Sequence, residues 1–451
     1  MLTKLIPLLL VVVVFGFAST PASARSKIFP FPYTVDDLDN GLRLITVPLS
    51  NPNVVAHYVV VRTGSRNEVE PGKSGFAHFF EHMMFRGTDR FSAEAYDNLM
   101  KAIGAESNAY TTDDYTCYHT LFVKEDLEKV VEIEADRFQH LKYPEPAFRT
   151  EAKAVLGEYN KNSANPINQL FEKTHETAFD AHTYKHTTMG FIKDIESMPE
   201  QFGYSRQFFD RFYRPENTVV VVAGDVQRDA VLALVKKNWG AWPRGGFQQE
   251  IPREPEQKAP RTATVDWKTP TLPWVAVSYK GPAYSDTAKD MPSMDLISSV
   301  AFSSSSPLYQ KLVIHEQKVD ALSPSFGNSR DPGLLTVFAR VKDPKDVGYV
   351  TGEILKTFEE TKTAPVSAER LAAVKSNLRY SFALRMDNTE SVAAILADFL
   401  ELAPDPETIN RLYATYESIT PGDMTEMAKK YFAENRRTIV TLAYKADGSG
   451  S

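Results

Sequence analysis

Apolar and polar positions alternate with two periods along this chain, and the switch between them marks its elements. Leu42-Arg43-Leu44-Ile45-Thr46-Val47 follows the turn signal Asp39-Asn40-Gly41, and Val54 to Val61 is a second β-rich run, so residues 33–63 are expected to form a hairpin. Helical spacing takes over at about 92–104 and 125–140, and again from about Glu145 to Lys161. Asn217-Thr218-Val219-Val220-Val221-Val222-Ala223-Gly224 returns to strand. The segment WPRGGFQQEIPREPEQKAPR, Trp242 to Arg261, then has four prolines, two glycines and no apolar period, as a linker does.

Beyond the linker the pattern restarts. Phe212-Tyr213-Arg214-Pro215-Glu216-Asn217-Thr218-Val219-Val220-Val221 is echoed by Tyr431-Phe432-Ala433-Glu434-Asn435-Arg436-Arg437-Thr438-Ile439-Val440, 219 residues later. Trp274 to Tyr279 likewise stands where Val54 to Val61 stands in the first half. The expected fold is α+β: two tandem homologous domains, each a mainly antiparallel sheet packed with helices, over residues 25–241 and 265–447. A Pro-rich linker at 242–264 joins them, and 448–451 form a short tail.

The start of the chain fits neither period. Lys4 precedes the apolar run Leu5 to Ala18, and Ala22-Ser23-Ala24 follows, so residues 1–24 read as a signal peptide cleaved after Ala24. The run has 14 residues and contains Pro7, short of the ~20 needed to span a bilayer, and no later segment is long and apolar enough. The mature chain is expected to be periplasmic or secreted, with no stable membrane span.

Composition adds exclusions. With 51 Lys and Arg against 58 Asp and Glu the net charge is −7, and loss of the leader with Lys4 makes it one unit more negative. Nucleic acid is therefore not an expected partner. Cys117 is the single cysteine, so no internal disulfide can form. In the alternating run Tyr115 to Leu121, Cys117 and His119 read as same-face neighbours on a strand rather than as nucleophile and base.

The chemistry concentrates in Gly75-Phe76-Ala77-His78-Phe79-Phe80-Glu81-His82-Met83-Met84-Phe85-Arg86-Gly87-Thr88. His78, Glu81 and His82 stand at i, i+3 and i+4, so in a helix they project from one face. An amphipathic helix that merely happens to carry two histidines must still explain the spacing that lets two imidazoles grip one metal beside a carboxylate. A catalytic zinc takes three protein ligands, so a third is needed. Glu151 and Glu158, seven apart on one helical face with small or apolar residues between, are both candidates. The second half has nothing comparable: His315 is its only histidine, and Ser303-Ser304-Ser305-Ser306-Pro307 lacks the lysine and glycine spacing of a phosphate loop.

The H-x-x-E-H sequence, an acidic residue 76 positions after its second histidine, the flanking G-x-A-H and F-R-G-T, and Asn108-Ala109-Tyr110-Thr111 together resemble the pitrilysin/insulinase family of inverted-motif zinc peptidases, in the branch that includes the mitochondrial processing peptidases. The resemblance implies one Zn2+ ion per chain held by His78, His82 and Glu158, with Glu81 as general base toward water at the metal. It makes Glu151 a carboxylate that orients a ligand or the water. Asn108 and Ala109 fall on the strand that pairs with an extended peptide substrate.

The sequence departs from the family at one place. Active members carry an arginine and, seven residues later, a tyrosine in the second domain, where they hold substrate and oxyanion. Here Val313 and Asp320 occupy those positions, and neither can donate to an oxyanion. The expectation is a zinc endopeptidase acting on peptides or unfolded segments, the metal-bearing subunit of a heterodimer whose homologous partner supplies the Arg/Tyr pair. A homodimer is the alternative assembly. The competing function is a non-catalytic, metal-stabilised binding or assembly protein.

Overall fold

The computed structural model describes residues 27–445, so the expected leader (1–24) and tail (448–451) lie outside the described residues. In the first half, β1 (Thr34–Asp37), β2 (Arg43–Pro48), β3 (Val54–Val61), β4 (Glu106–Thr111), β5 (Thr116–Val123) and β6 (Thr218–Gly224) stand in the order β1-β2-β6-β3-β5-β4. In the second, β7 (Arg261–Trp267), β8 (Trp274–Lys280), β9 (Val319–Phe326), β10 (Leu334–Val341) and β11 (Arg437–Tyr444) stand in the order β7-β11-β8-β10-β9. Apart from the extra edge strand β1, the two orders match strand for strand. Each sheet has one parallel pair, β2 with β6 and β7 with β11, and is otherwise antiparallel.

The hairpin expected over 33–63 needs correction. β1 and β2 pair around Asp39-Asn40-Gly41, but β2 and β3 do not pair, because β6 lies between them. Thr218–Gly224 is buried at every position. A strand with no exposed face is satisfied only in the middle of a sheet covered on both sides.

The first half carries α1 (Phe76–Met83), α2 (Ala93–Ala102), α3 (Leu127–His140), α4 (Glu145–Ser163), α5 (Pro166–Ala178), α6 (Ile192–Ser197), α7 (Phe202–Phe212) and α8 (Arg228–Trp239). The second carries α9 (Asp290–Ala301), α10 (Pro307–Tyr309, continuing as a π-helical turn over Gln310–His315), α11 (Val347–Thr363), α12 (Ala368–Leu384), α13 (Thr389–Leu400), α14 (Glu407–Ser418) and α15 (Pro421–Tyr431). An offset close to 219 residues relates α1 to α9, α3 to α11, α4 to α12 and α5 to α13, extending the echo seen in the sequence.

The halves exchange helices. α5 lies on β7, β8 and β11, where Leu170 shares a buried cluster with Ala276, Val440 and Leu442. Its counterpart α13 lies on β3 and β6, where Ile395 and Leu396 join Tyr58, Val60 and Val221. The opposite face of the first sheet, with Val220 and Val222, packs against α1, α3 and α8. Each sheet is thus closed on one side by its own helices and on the other by a helix from the other half.

Residues 242–260 contain no helix or strand, but 261–264, expected in the linker, open β7. The segment is tied down. Glu254 accepts backbone N–H bonds from Asp180, Ala181 and His182 at 2.9–3.1 Å and pairs with the buried Lys280.

Candidate metal centre

α1 is fixed by its apolar face and its N-terminus. Phe76, Phe79, Phe80 and Met83 are fully buried; Phe80 stacks on Phe208 with centroids 5.3 Å apart, and Phe79 meets Phe148 of α4 edge-on at 5.0 Å. Glu68 accepts the N–H groups of Gly75 and Ala77 at 2.7 and 2.6 Å, satisfying donors that open the helix. Gly75 has φ 94°, and a Cβ there would stand 2.8 Å from the Met189 carbonyl oxygen. The glycine of the G-x-A-H flank is therefore required by backbone geometry.

The other face of α1 presents His78, Glu81 and His82 toward α4. Glu151 and Glu158 lie two turns apart there, with fully buried Val155 between them. Glu158 Oε2 is 3.6 Å from His78 Nε2 and 3.4 Å from His82 Nε2, and donor atoms of the three residues lie within 4.8 Å of one another. Among the described residues this is the one such group of His, Cys, Asp or Glu. Two imidazole nitrogens and a carboxylate oxygen at that separation fit a tetrahedral zinc with one position left open.

Glu151 takes a different place. Its Oε1 is 2.9 Å from His82 Nδ1, and its Oε2 accepts from Arg86 Nε at 2.7 Å and from Arg86 Nη2. A proton on His82 Nδ1, shared with this carboxylate, leaves Nε2 with its lone pair toward Glu158 and His78. Burial would raise the Glu151 pKa, but the bonds from His82 and Arg86 outweigh it and hold the carboxyl below its usual range. The same bond to Glu151 raises His82. His78 is pushed down to about 4, by burial first and then by the neighbouring His82, so it stays neutral, the form that ligates.

Glu81 is half-buried, and burial raises its pKa, partly offset by a bond from Thr111 Oγ1 at 2.6 Å to Oε2. Thr111 ends β4, the edge strand of its sheet. Farther along β4, Ala109 N–H bonds the Asn108 side-chain oxygen at 2.9 Å rather than a neighbouring strand, so an added strand must displace that amide.

The remaining candidates are placed as follows. Cys117 is fully buried on β5, its thiol pushed up by burial, and His119 stacks on Tyr58; neither joins the metal centre. Val313 lies on the π-helical turn, and Asp320 on β9 is held by Arg340 through bonds of 2.8 and 2.7 Å. Sequence reasoning missed three supporting residues: Arg86, Thr111 and Glu68. The first two stood inside the quoted flanks F-R-G-T and N-A-Y-T, whereas nothing in the sequence marked Glu68.

Fold and site together define a protein of two repeated halves in which, among the described residues, one inverted-motif His and Glu group that could hold a metal ion lies in the first half. A family model described as insulinase (peptidase family M16) matches residues 45–191, and one described as peptidase M16 inactive domain matches residues 205–378. The chain belongs to the insulinase (peptidase M16) family. It is 29% identical over 412 residues to a zinc protease PqqE of Helicobacter pylori, covering 90% of this chain and 91% of that protein. It is 25% identical over 426 residues to a probable mitochondrial-processing peptidase subunit beta of Arabidopsis thaliana, covering 91% and 78%. A crystal structure of a protease from Helicobacter pylori superposes with TM-score 0.85 at 28% identity, covering 92% of this chain and 99% of that one.

Proposed function

We propose that the chain is a zinc-dependent endopeptidase acting on peptides or unfolded segments. The observation that carries this reading is the convergence of His78, His82 and Glu158 on one point, with the carboxylate of Glu81 beside it and tied to none of the three. Those three residues would hold one zinc ion. When bound, zinc supplies Lewis acidity: it polarises a peptide carbonyl and acidifies water toward neutral pH.

The protein supplies the proton transfers and the positioning. Thr111 fixes Oε2 of Glu81, which leaves Oε1 to take a proton from the attacking water and pass it to the leaving amine. Burial raises the Glu81 pKa above the ordinary carboxylate value, the direction that helps a general base return the proton it takes. Glu151 orients His82. The open edge of β4, with Asn108 and Ala109, offers main-chain pairing to an extended substrate, a mode tolerant of side chains.

Val313 and Asp320 supply no oxyanion donor, and Asp320 is already engaged with Arg340. The chain is therefore read as the metal-bearing subunit of a heterodimer whose homologous partner provides the arginine and tyrosine. That one relative is named as a subunit beta supports this reading. The same missing donors favour the second reading, a metal-stabilised assembly protein without catalysis. The apolar run at Leu5 to Ala18 supports reading the chain as periplasmic or secreted, and among the described residues no helix is long and apolar enough to cross a membrane.

Metal content tests the assignments. Elemental analysis should find one zinc per wild-type chain and per Glu81→Gln chain, and little in His78→Ala, His82→Ala or Glu158→Ala, because ligands set metal affinity and the base sets only the chemical step. A metal-free Glu81→Gln protein or a fully loaded Glu158→Ala protein would overturn the roles.

A further inference from the structure

The one candidate metal group among the described residues lies in the first half, yet a loop of the second half reaches the segment beneath α1. That segment is the 3-10 turn Ser65–Asn67, flanked by Gly64 and Glu68. Glu68 is buried and accepts the N–H groups of Gly75 and Ala77 that open α1. The turn itself rests on the end of β4. Arg66 N–H donates to the Asp113 carbonyl oxygen at 2.8 Å, and Ser65 Oγ to the Asp113 carboxylate at 2.8 Å. A Cβ on Gly64 would stand 2.3 Å from the Thr112 carbonyl oxygen, so the two backbones meet as closely as a glycine allows. Thr112 follows Thr111, whose hydroxyl holds Glu81. Gly64 to Glu68 thus join the start of the helix that carries His78, Glu81 and His82 to the end of the strand that holds Glu81.

The Arg66 side chain is held from the second half. Its Nε donates to Oδ2 of Asp331, in the loop joining β9 to β10, at 2.6 Å, and 14% of the arginine side chain is exposed. Asp114 stands farther from Arg66, at 3.8 Å, and already accepts from Tyr184 Oη at 2.6 Å and the Arg330 N–H at 2.9 Å. His182 Nδ1 accepts the Tyr184 N–H at 3.0 Å, which places the ring proton on Nε2, donated to Asp331 at 3.0 Å. Burial would raise the Asp331 pKa, but the bonds from His182 and Arg66 outweigh it and hold the carboxyl well below its usual range. Loss of the Asp331 carboxylate would leave Arg66, largely shielded from water, without its close acceptor.

We propose that Asp331 is a positioning residue for the candidate metal centre of the other half. Through Arg66 it fixes the turn from which Glu68 holds α1, and so sets where His78, Glu81 and His82 stand against β4 and Glu158. The exchanged helices α5 and α13 tie the halves together at their sheets, whereas this bond ties the second half to the segment that holds the metal helix. The inference rests on the metal reading of the site, and ligand geometry can be read without turnover.

Cobalt(II) loaded in place of zinc reports ligand geometry through its visible absorption, and cleavage of an unstructured peptide by the zinc-loaded chain reports the chemistry. Asp331→Ala and Arg66→Met should each change the cobalt spectrum and lower kcat about tenfold, with KM kept within about twofold. The double variant should lose no more than either single variant, since the two residues act through one bond. Asp331→Asn keeps an oxygen toward Arg66 and should recover most of the loss. Arg66→Met decides the matter if Asp331→Ala fails to fold. Leu170→Ala, which loosens the halves at α5, should lower the thermal midpoint and leave spectrum and kcat unchanged. Unchanged spectrum and kcat in the folded Asp331 and Arg66 variants, additive losses in the double variant, or the same changes in Leu170→Ala would overturn the proposal alone. A wild-type chain that takes up no cobalt would overturn the metal reading and the proposal together.

Discussion

Arg86 reaches past the end of α1 to hold Glu151, and Glu151 in turn holds His82, so a partly exposed guanidinium, joined to the centre through one carboxylate, governs the direction of a proposed ligand. Because Arg86 is exposed, its loss should leave the fold intact and loosen only this chain of bonds. Arg86→Met and Glu151→Gln should each lower zinc affinity ~10–100-fold in chelator competition, and the double variant should lose less than the sum. Additive losses, or unchanged affinity in Arg86→Met, would show that the two act separately. At this scale the sequence was informative where chemistry follows helical spacing. His78, Glu81 and His82 share a face because α1 has 3.6 residues per turn, and Glu151 and Glu158 share one for the same reason. Arg86, Thr111 and Glu68 were hidden because their partners come from other elements, and nothing local to a chain segment records which side chain another helix will bring.

Among the elements, α5 and α13 matter most, since each belongs to one half and covers the sheet of the other. Leu170, fully buried on α5, should cost about 2–5 kcal/mol when changed to alanine. The loss should be felt in both halves together. Trp239 and Trp242 report on the first half, Trp267 and Trp274 on the second; with either pair replaced by phenylalanine, Leu170→Ala should lower both denaturation midpoints equally. A shift confined to the second-half tryptophans would mean that α5 is an accessory to one sheet. The helices 92–104, 125–140 and 145–161 were legible because their apolar stripes are local, and the repeat because its echo spans a helix end, a turn and a strand. The place of β6 was not, since strand neighbours 150 or more residues apart leave no local period. The unbroken apolar run of Thr218–Gly224 was the available clue, and it pointed to a central strand.

For the whole molecule, the one candidate metal centre among the described residues and the lack of Arg and Tyr at Val313 and Asp320 give an expectation about assembly. Losing a donor to the oxyanion costs ~10²–10³ in rate, so the chain alone should hydrolyse peptides that much more slowly than when reconstituted with a homologous subunit carrying the pair. Full activity of the isolated chain, unchanged by the partner, would refute the borrowed-donor arrangement while leaving the metal centre untouched. The central claim rests on that centre, and one measurement addresses it most directly. Cleavage of an unstructured fluorogenic peptide by the reconstituted protein should be followed before chelation, after it, and after return of zinc, with Glu81→Gln in parallel. The account predicts that wild-type cleavage disappears on chelation and returns with one equivalent of zinc per metal-bearing chain, while the zinc-loaded Glu81→Gln protein stays inactive throughout. Cleavage that survives chelation, or that persists in the Glu81→Gln protein, would contradict it.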